Sequence, residues 1–365
     1  MSAIINVAIL FGGRSPEHKI SLLSAQNVIK SIDRTKYNPI LVGIDKKGQW
    51  HYHEKGLSLL HAEDVNKIEL NDTSHHVLLS QNTDDKGLIS LSSMNEICKI
   101  DVIFPVLHGT YGEDGSIQGF AKTANIPCVG CGIAGSVLGM DKDIMKRILR
   151  DANIKVSKGV TVRNSIDGID YKNIVAELGH ELFIKPANLG SSVGVSYTDN
   201  GESFYTALKH ALEFDKKVIV EQKIAGREIE CAVLGNREPQ ASVPGEIVPK
   251  SSFYSFDNKY VDGEGAALHI PAQLSYDQIK RVQQLSLDTY TVLECRGMAR
   301  VDMFLTEDDS LIINEINTIP GFTDISMYPK LWEASGISQQ ELISRLIELA
   351  IEGNELVNGL KSATS

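Results

Sequence analysis

Two segments near the end of the chain alternate apolar and polar residues with the period of half-buried β-strands. They are GMARVDMFL at residues 297–305 and LIINEIN at residues 311–317. The polar run EDDS at residues 307–310 separates them and is typical of a turn. A four-residue loop here predicts a hairpin in which Asp302 faces Glu315. The same register places Arg300 opposite Asn317, and opposed residues lie about 4.5–5.5 Å apart.

The predicted hairpin gathers charged and amide side chains on one face. Asp302, Glu315 and Asn317 would converge there, with the Arg300 guanidinium beside them. Two carboxylates at such a distance repel each other unless a cation lies between them. Oxygen ligands without nitrogen or sulfur are those that Mg²⁺ and Mn²⁺ prefer, so the segment predicts a metal site. The alternative is a solvated strand face.

The second strand and the loop after it complete this prediction. In LIINEIN the alternation places Ile312 and Ile316 on the face away from Glu315. The loop TIPGFT follows at residues 318–323 and could bring backbone N–H groups near the same ions.

Length and charge restrict the classes of protein to which this chain can belong. Its 365 residues allow two or three domains, and 42% hydrophobic residues are enough for real cores. The 36 basic and 47 acidic side chains give a formal net charge of −11, which argues against general binding to nucleic acid or an anionic membrane. The N-terminal MSAIINVAILFGG lacks a basic region and a cleavage site, and its apolar run is shorter than the ~20 residues that cross a bilayer. We therefore expect a cytoplasmic protein.

Two further motifs are weighed against structural explanations. The five cysteines are scattered and odd in number, so no disulfide framework is expected. Cys128 and Cys131 have CxxC spacing, but no second ligand pair follows, so a structural or incidental role is expected. GCGIAG at residues 130–135 matches the dinucleotide-binding pattern GxGxxG. The strand before it is very short and Asp151 lies within a helix, so an NAD-type oxidoreductase is only an alternative.

Strands and helices alternate over residues 1–130, which predicts an open α/β domain. The expected strands are residues 4–11, 38–44 and 101–107, and the expected helices are residues 16–31 and 116–125. We expect Ser15 to cap the first helix and Pro16 to occupy its first position. Residues 45–100 are polar and irregular and carry no identifiable chemistry.

The rest of the chain predicts two more domains. A second α/β unit covers residues 131–224, with a helix at 141–152 and strands at 183–186 and 217–221. Residues 225–352 are rich in strands, contain the hairpin and end in a helix at 339–352, so this part is α+β. Residues 353–365 are expected to form a frayed tail.

A loop rich in glycine and serine is the second strong signal for a site. In KPANLGSSVG, residues 185–194, Lys185 ends a strand and a loop with two hydroxyls follows. Backbone N–H groups and hydroxyls of such a loop can fold over phosphates. The loop lacks the GxxxxGK[ST] pattern of a P-loop, and in isolation it could be an ordinary hairpin. Together with Lys142 and the distal carboxylates, it favours binding of a nucleoside triphosphate.

Two other segments supply weaker candidates for nucleotide contacts. Glu221 and the Ile224 backbone could contact the edge of an adenine, and Glu228 could accept hydrogen bonds from ribose. The loop at residues 251–264 is polar and studded with aromatic residues, as lids that exclude water often are. Its candidate functional residues are Lys259 and Tyr260, and the alternative is a packed surface loop.

The N-terminal region offers two single candidates. Glu17, in the first turn of its helix, could hold an ammonium group or merely complement the helix dipole. His108 lies in a glycine-rich loop at the C-terminal end of a strand, where α/β sheets bind ligands, although a lone histidine is more often structural.

Taken together, these segments resemble the D-alanine–D-alanine ligases, members of the ATP-grasp superfamily. The resemblance spans nearly the whole chain and rests on GGRSPEHKISLLSA, HGTYGEDGSIQG, MDKDIMKR, KPANLGSSVGVS, GREIECAVLG, MARVDMF and NEINTIPGFT. The patterns GGxSxExxxS and HGxxGEDG distinguish this family from most other ATP-grasp enzymes, and the length resembles the longer A-type form. The resemblance implies a three-domain ATP-grasp fold, with ATP between the central and C-terminal domains and an N-terminal domain that contributes to the amino-acid pocket.

The resemblance also implies a reaction and a set of site residues. Two D-alanines and ATP would react through an acyl phosphate, giving D-alanyl-D-alanine for peptidoglycan precursors, ADP and phosphate. The metal ligands, for two Mg²⁺ or Mn²⁺ ions, would be Asp302, Glu315 and Asn317. The ATP-binding residues would be Lys142, Lys185, Ser191, Ser192, Glu221, Ile224, Glu228, Lys259 and Asn314. The D-alanine-binding residues would be Glu17, His108, Arg300, Gly321, Ser326 and Met327. A homodimer is also implied.

Five residues would have catalytic roles by this resemblance. Glu17 would anchor the ammonium group of the first D-alanine, and Ser191 and Tyr260 would link to it by hydrogen bonds. Arg300 and the Gly321 N–H would stabilise the tetrahedral oxyanion. The family often has leucine at the position of Met327, so this chain departs mildly there.

Two alternatives within nucleotide-binding proteins stay open. One is a ligase with another second substrate, D-lactate or D-serine; relatives that use these tend to have a histidine-containing stretch or a phenylalanine where this chain has Tyr260. The other is a non-catalytic relative, which loss of the metal carboxylates or of Arg300 would favour, and all of these are present. Because a neutral amine is needed for attack, the reaction should improve at mildly alkaline pH.

Overall fold

The computed structural model describes residues 3–53, 59–62, 64, 67–73, 75–80, 86–249 and 266–360 of the chain. Helices and sheets are mixed throughout these residues, which confirms the predicted α/β class. The predicted lid at residues 251–264, with Lys259 and Tyr260, lies outside the described residues. In the part of the chain that is described, every helix is too short or too polar to span a membrane.

The N-terminal region is built around a sheet that is parallel at its centre. Its strands are β1 (Ile5–Gly12), β2 (Tyr37–Ile44), β3 (Trp50–His53), β4 (Leu59–Leu60), β5 (Glu69–Leu70), β6 (Val77–Leu79), β7 (Gly87–Ser90), β8 (Glu96–Lys99) and β9 (Val102–Val106), and its helices are α1 (His18–Ser31) and α2 (Ser116–Thr123). The sheet order is β3-β2-β1-β9, and only β3 joins it antiparallel. The central strands are apolar along most of their length because both faces of the sheet are covered. Since β1 and β9 are parallel, the loops that follow them meet at one edge.

The first helix begins later than the sequence predicted. α1 starts at His18 with Glu17 at the N-cap position, rather than at Pro16 after a Ser15 cap. The Ser15 hydroxyl instead accepts a hydrogen bond from the Glu17 N–H at 3.1 Å, and the His18 N–H donates to the Ser15 carbonyl at 3.1 Å. This turn satisfies the backbone groups before the helix begins. Glu17 therefore lies at the junction of loop and helix.

The central region is an antiparallel sheet with helices against it. Its elements are α3 (Ile133–Met140), α4 (Lys142–Asp151), β10 (Gly159–Arg163), α5 (Tyr171–Leu178), β11 (Leu182–Pro186), β12 (Ser196–Thr198), α6 (Gly201–Phe214) and β13 (Lys217–Gln222). The order β10-β13-β11-β12 places the strand of Lys185 beside that of Glu221. The helix predicted at residues 141–152 is α4, and the side chain of Asp141 caps it by accepting from the Ile144 N–H at 3.1 Å.

The C-terminal region contains the predicted hairpin. Its elements are β14 (Arg227–Gly235), β15 (Gln240–Ala241), β16 (Gly245–Pro249), β17 (Ala266–His269), α7 (Tyr276–Val292), β18 (Gly297–Leu305), β19 (Leu311–Asn317), α8 (Met327–Ala334) and α9 (Gln339–Asn358). The sheet order is β17-β16-β14-β18-β19, with β15 paired to β14. The hairpin β18–β19 thus forms one edge of the sheet, and β14 is its inner neighbour.

The last helix is longer than predicted. α9 continues to Asn358 instead of ending at residue 352, so residues 353–358 are helical and are not part of a frayed tail. The Gly359 N–H donates to the Glu355 carbonyl at 2.9 Å, which satisfies a backbone group of the final turn. The buried face of α9 packs in a core that also contains residues of β1 and β9, so it joins the C-terminal region to the N-terminal sheet.

The GCGIAG motif has a packing explanation. Gly130 has φ +97°, which favours glycine, and a Cβ on Gly135 would lie 2.9 Å from the Glu294 carbonyl oxygen. Only an isolated bridge at Cys128 precedes the motif. Asp151 ends α4, as predicted. All five cysteines are free thiols in this structure.

Candidate active site

The β18–β19 hairpin brings the predicted residues face to face. Asp302 pairs with Glu315 and Arg300 pairs with Asn317, which confirms the predicted register. The loop, however, contains five residues, 306–310, and the pairing shifts by one residue just beyond Asp302. The predicted pairs are therefore correct although the predicted loop length is not.

A bulge at Asn314 explains both findings. Asn314 has no partner on β18, so it compensates for the extra residue in the loop. The bulge also changes the alternation of faces: Ile316 is buried as expected, but Ile313 is fully buried and Ile312 is not. The placement of Ile312 away from the site face was therefore wrong. The bulged residue contributes to the site, because Lys185 Nζ donates to Asn314 Oδ1 at 3.3 Å.

Three carboxylates form a row across neighbouring strands. Glu230 on β14 pairs with Asp302 on β18, which in turn pairs with Glu315 on β19. Glu230 is 5% exposed. Like charges directly opposite each other destabilise a sheet, so this row requires cations close to it.

Arg300 and Lys142 supply those cations. Arg300 Nε and Nη2 each donate to one oxygen of Asp302 at 2.7 Å, and Nε lies 2.9 Å from Glu230 Oε2. Lys142 Nζ lies 3.3 Å from Glu315 Oε2 and donates to the Leu189 carbonyl at 2.7 Å. We call the five side chains Glu230, Arg300, Asp302, Glu315 and Lys142 the charged row.

The oxygen ligands of this row fit a hard divalent cation. Asp302, Glu315 and Asn317 lie on one face of the hairpin. The cationic groups of Arg300 and Lys142 contact the two carboxylates, as a bound divalent ion would. Asn317 donates from Nδ2 to Asp302 Oδ2 at 2.9 Å, so a rotation of its amide would present oxygen to an ion. Among the described residues, no three His, Cys, Asp or Glu side chains are arranged to hold a metal by themselves. Amide or other oxygen atoms must therefore complete the coordination.

A cavity of about 220 Å³ adjoins the charged row. Its wall contains the predicted ATP-binding residues of the described chain, namely Lys142, Lys185, Ser191, Ser192, Glu221, Ile224, Glu228 and Asn314. They come from α4, the central sheet, the glycine- and serine-rich loop, the connector before β14, β14 itself and β19, so the fold brings distant segments together here. The remaining predicted ATP ligand, Lys259, lies outside the described residues.

Glu221 lies between two lysines in the wall of this cavity. It is 2% exposed; one oxygen contacts Lys146 Nζ and the other lies 3.0 Å from Lys185 Nζ. Burial raises the pKa of Glu221, but the two ammonium groups outweigh burial and hold it at about 2. Burial lowers the pKa of Lys146 to about 8, whereas the pKa of Lys185 is raised because Glu221 and Glu315 outweigh its burial. Glu221 is thus a fixed negative charge that orients Lys185, and its contact with adenine stays a prediction.

The glycine- and serine-rich loop has a backbone suited to anions. Ser191 and Ser192 have φ 51° and 60°, a left-handed region that non-glycine residues rarely adopt. Successive N–H groups in such turns form a concavity that binds anions. The Lys142 Nζ bond to the Leu189 carbonyl ties the start of this loop to α4. The loop is therefore a candidate cover for phosphates.

Glu17 connects this loop to the N-terminal region. The Ser191 hydroxyl donates to Glu17 Oε1, which confirms the predicted link between them. A Cβ on Gly109 would lie 2.5 Å from Glu17 Oε2, and one on Gly190 would lie 3.3 Å from it. Glycine at both positions therefore allows two loops to approach the carboxylate. Tyr260, the other predicted partner, lies outside the described residues.

Glu113 is a site residue that the sequence analysis missed. Its Oε2 accepts from the Gly109 N–H at 2.8 Å and its Oε1 accepts from the Ile319 N–H at 3.0 Å. Burial and the nearby Glu17 carboxylate raise the pKa of Glu113 to about 8, although the two N–H groups and Lys142 lower it. Two neighbouring carboxyl groups make this place suited to an ammonium ion.

Both ring nitrogens of His108 form hydrogen bonds within the protein. Its Nε2 lies 3.0 Å from the Ser24 hydroxyl and its Nδ1 lies 3.1 Å from the Ile319 carbonyl oxygen. Because the Ile319 carbonyl can only accept, Nδ1 carries the proton, and Nε2 of the neutral ring accepts from the Ser24 hydroxyl. Burial lowers the pKa of His108 to about 4, so the ring is neutral. His108 therefore positions the loop at residues 318–323 through its bond to the Ile319 carbonyl, and its contact with a substrate stays a prediction.

The same loop holds the last predicted residues. Ser326 Oγ accepts from the Thr323 N–H at 2.9 Å, and a Cβ on Gly321 would lie 2.7 Å from that oxygen. Ser326 is the N-cap residue of α8, and Met327, which follows, is buried in the core shared with the N-terminal sheet. Gly321 and Ser326 therefore lie together, whereas contacts of Ser326 and Met327 with a second substrate stay predictions.

Comparison with known proteins identifies the family. The model described as "D-ala D-ala ligase N-terminus" matches residues 6–131, and the model described as "D-ala D-ala ligase C-terminus" matches residues 148–348. The chain belongs to the D-alanine–D-alanine ligase family. Among its relatives, the D-alanine–D-alanine ligase of Oceanobacillus iheyensis is 51% identical, with 98% of each chain covered. The D-alanine–D-alanine ligase A of Escherichia coli K12 is 47% identical, with 98% of this chain and 99% of the relative covered.

Solved structures of this family have the same fold. The D-alanine–D-alanine ligase from Coxiella burnetii has a TM-score of 0.81 and 35% identity, with 97% of each chain covered. The D-Ala:D-Ser ligase VanG from Enterococcus faecalis has a TM-score of 0.83 and 35% identity, with 95% of this chain and 100% of that chain covered. The chain therefore has the α/β ATP-grasp fold, and the alternative of an NAD-type oxidoreductase is wrong.

The site residues that sequence reasoning missed carry partial signals. Glu230 follows Glu228 by two residues, the spacing that places both on one face of a strand. Lys146 follows Lys142 by four residues, which is about one turn of a helix. Glu113 is the glutamate of the HGxxGEDG pattern, but local sequence gives no signal for its bond to Ile319, which lies 206 positions away.

Proposed function

We propose that this enzyme joins two D-alanines to D-alanyl-D-alanine while converting ATP to ADP and phosphate, a step in making peptidoglycan precursors. The observation that carries the proposal is the cavity in which Lys142, Lys185 and the glycine- and serine-rich loop face the acidic hairpin. That loop also contacts Glu17 through Ser191, so the triphosphate site adjoins a place suited to an ammonium ion. Membership of the ligase family supports the same reaction.

The proposed domain boundaries follow the three main sheets. Residues 1–130 form the N-terminal domain, residues 131–224 the central domain and residues 225–352 the C-terminal domain. ATP lies between the central and C-terminal domains, because the 220 Å³ cavity has walls from both. We further propose that the enzyme is a cytoplasmic homodimer, as its family resemblance implies.

The ATP and metal sites use the residues around that cavity. Asp302, Glu315 and Asn317 would hold two Mg²⁺ or Mn²⁺ ions, which would supply positive charge against the phosphate oxygens. The ATP contacts proposed for this chain are those of Lys142, Lys185, Ser191, Ser192, Glu221, Ile224, Glu228, Lys259 and Asn314. Lys142 and Lys185 neutralise phosphate oxygens, and the N–H groups of the loop cover them.

The first D-alanine binds where Glu17 and Glu113 meet. Its ammonium group lies against the Glu17 carboxylate, with the Glu113 carboxyl group close by. His108 holds the loop at residues 318–323 in place through its bond to the Ile319 carbonyl. One oxygen of the substrate carboxylate attacks the γ-phosphorus, the bond from that phosphorus to ADP breaks, and an acyl phosphate forms.

The second D-alanine attacks the acyl phosphate as a neutral amine. A C–N bond forms, the amine loses a proton, and the C–O bond to phosphate breaks. Arg300 and the Gly321 N–H stabilise the oxyanion of the tetrahedral intermediate. Ser191 and Tyr260, linked to Glu17, orient the reacting groups, while Ser326 and Met327 contact the second substrate.

A substrate panel tests the proposed reaction. The purified enzyme, with ATP and Mg²⁺, is given D-alanine alone and D-alanine with D-serine or D-lactate, and phosphate release and products are measured. We expect the highest rate with D-alanine alone and no ADP release without D-alanine. If a product containing D-serine or D-lactate forms faster, that compound and not D-alanine is the preferred second substrate. ATP binding without ADP release from any pair would indicate a non-catalytic relative.

The pKa of Glu113 predicts how the stability of the free enzyme depends on pH. Its pKa in the folded state is about 8, above its ordinary value of 4.5. At pH values below 4.5 the proton on Glu113 therefore makes its full contribution to the stability of the folded state. That contribution is lost as the pH rises through about 8. Glu113→Gln cannot ionise, so the wild type should lose thermal stability relative to this variant as the pH rises from about 4.5 to about 8. Melting temperatures without ligand measure the difference, and parallel curves for the two proteins would contradict the prediction.

A further inference from the structure

The charged row contains one carboxylate with no role in the reaction described above. Glu230 lies opposite Asp302 in the sheet and is almost fully buried. A buried carboxylate is costly unless it is paired, and Arg300 is a cation that pairs with Glu230: its Nε lies 2.9 Å from Glu230 Oε2. The function of Glu230 therefore depends on what Arg300 does.

Arg300 contacts both of its carboxylate neighbours at once. Its two nitrogens bind both oxygens of Asp302 at 2.7 Å, the bidentate geometry that is the strongest form of this pair. The proposed reaction needs Asp302 for a divalent ion and Arg300 for the oxyanion. Because the guanidinium binds both oxygens of Asp302, Arg300 and the ion compete for the same carboxylate.

We propose, on the basis of the ligase reaction above, that Glu230 is a positioning residue that retains Arg300 when a divalent ion takes Asp302. The guanidinium of Arg300 binds the Asp302 carboxylate, and it therefore competes with the ion for this carboxylate. Glu230 weakens that competition because it offers Arg300 a second carboxylate. It also keeps the guanidinium beside the row, where the oxyanion forms.

A third metal ligand is the competing explanation for Glu230. The described residues contain no group of three acidic or histidine side chains arranged to hold a metal, although Glu230, Asp302 and Glu315 form one row. The guanidinium of Arg300 contacts both Glu230 and Asp302. This arrangement favours the assignment of Glu230 to the arginine.

A double-mutant cycle on ion binding separates the two explanations. Mn²⁺ is titrated into the full-length protein, followed by electron paramagnetic resonance, with a non-hydrolysable ATP analogue and without D-alanine. Arg300→Met should bind Mn²⁺ more tightly than the wild type, because a competing cation is gone. Glu230→Gln should bind it roughly tenfold more weakly, and this loss should largely disappear in the double variant. An equal loss in both backgrounds overturns the proposal.

Steady-state kinetics give an independent readout. In Glu230→Gln, half-maximal turnover should need more Mg²⁺, and saturating Mg²⁺ should restore part of the lost rate. A purely structural role would lower the amount of folded enzyme without changing the Mg²⁺ requirement. If Glu230→Gln does not fold, Glu230→Asp keeps the charge but shortens its reach, and it should show the same shift in a weaker form.

The same sheet provides a matched control. Glu246 on β16 forms a bidentate pair with Arg227, at 2.7 and 2.6 Å, and its strand partner is Ile229 rather than Glu230. Glu246→Gln removes an equivalent carboxylate–arginine pair and should leave Mn²⁺ binding unchanged. The Mn²⁺ titration requires no product formation, so inactivity of the wild type towards D-alanine would contradict the proposed reaction and leave the ion-binding result interpretable.

Discussion

Replacing Asp302 with asparagine is expected to lower the rate of dipeptide formation by roughly a thousandfold, the scale of losing a charge that stabilises phosphoryl transfer. Asp302 occupies the middle of the charged row, where Arg300 and Asn317 both bind it. Asparagine has the same shape but lacks the negative charge that a divalent ion requires. Phosphate release at saturating ATP, Mg²⁺ and D-alanine measures the loss.

The fold should survive this substitution, because asparagine can still accept a hydrogen bond from Arg300. Circular dichroism and the melting temperature check this expectation. Asp308→Asn is the matched control: Asp308 lies in the loop of the same hairpin, where it accepts from the Thr306 and Ser310 hydroxyls, and its loss should leave the rate unchanged. A nearly normal rate in Asp302→Asn would remove this residue from the metal site.

The hairpin shows how much of the site could be predicted from local sequence. Alternating residues and a polar turn were sufficient to pair Asp302 with Glu315, because strand period and hairpin closure are local properties. The bulge at Asn314 was not predictable from that pattern. It depends on a five-residue loop and on contacts with Lys185 of another sheet. The pairing was right because two one-residue deviations cancelled.

Contacts between distant segments account for most of what the sequence could not predict. The first helix starts late because the turn at Ser15 satisfies its own backbone groups, and this places Glu17 where Ser191 reaches it. The role of His108 depends on Ser24 and on a carbonyl 211 residues away. Such pairings follow from how the three sheets pack, which periodicity and motif spacing do not encode. The family resemblance predicted the fold correctly because members of one family share this packing.

Replacing Glu17 with glutamine is expected to reduce kcat/KM for D-alanine by roughly thirtyfold to several thousandfold, since truncating one partner of a buried charge pair costs about 2–5 kcal/mol. Glu17 is 7% exposed, and its carboxylate is enclosed by the loops of Gly109 and Gly190. An ammonium group bound there would lose its counter-charge in a place with little water. Affinity for a non-hydrolysable ATP analogue should change little, because Glu17 does not line the 220 Å³ cavity.

Two comparisons make the role of Glu17 specific. Ser191→Ala removes the hydroxyl that bonds Glu17 but leaves the charge, so its effect on the KM for D-alanine should be smaller than that of Glu17→Gln. Loss of the Glu17 charge should also shift the stability profile of the enzyme, because that charge is one cause of the raised pKa of Glu113. Glu17→Gln should therefore move the pH-dependent loss of stability to lower pH. If both variants instead weaken nucleotide and D-alanine binding equally, Glu17 supports the loop over the phosphates and does not bind the ammonium group.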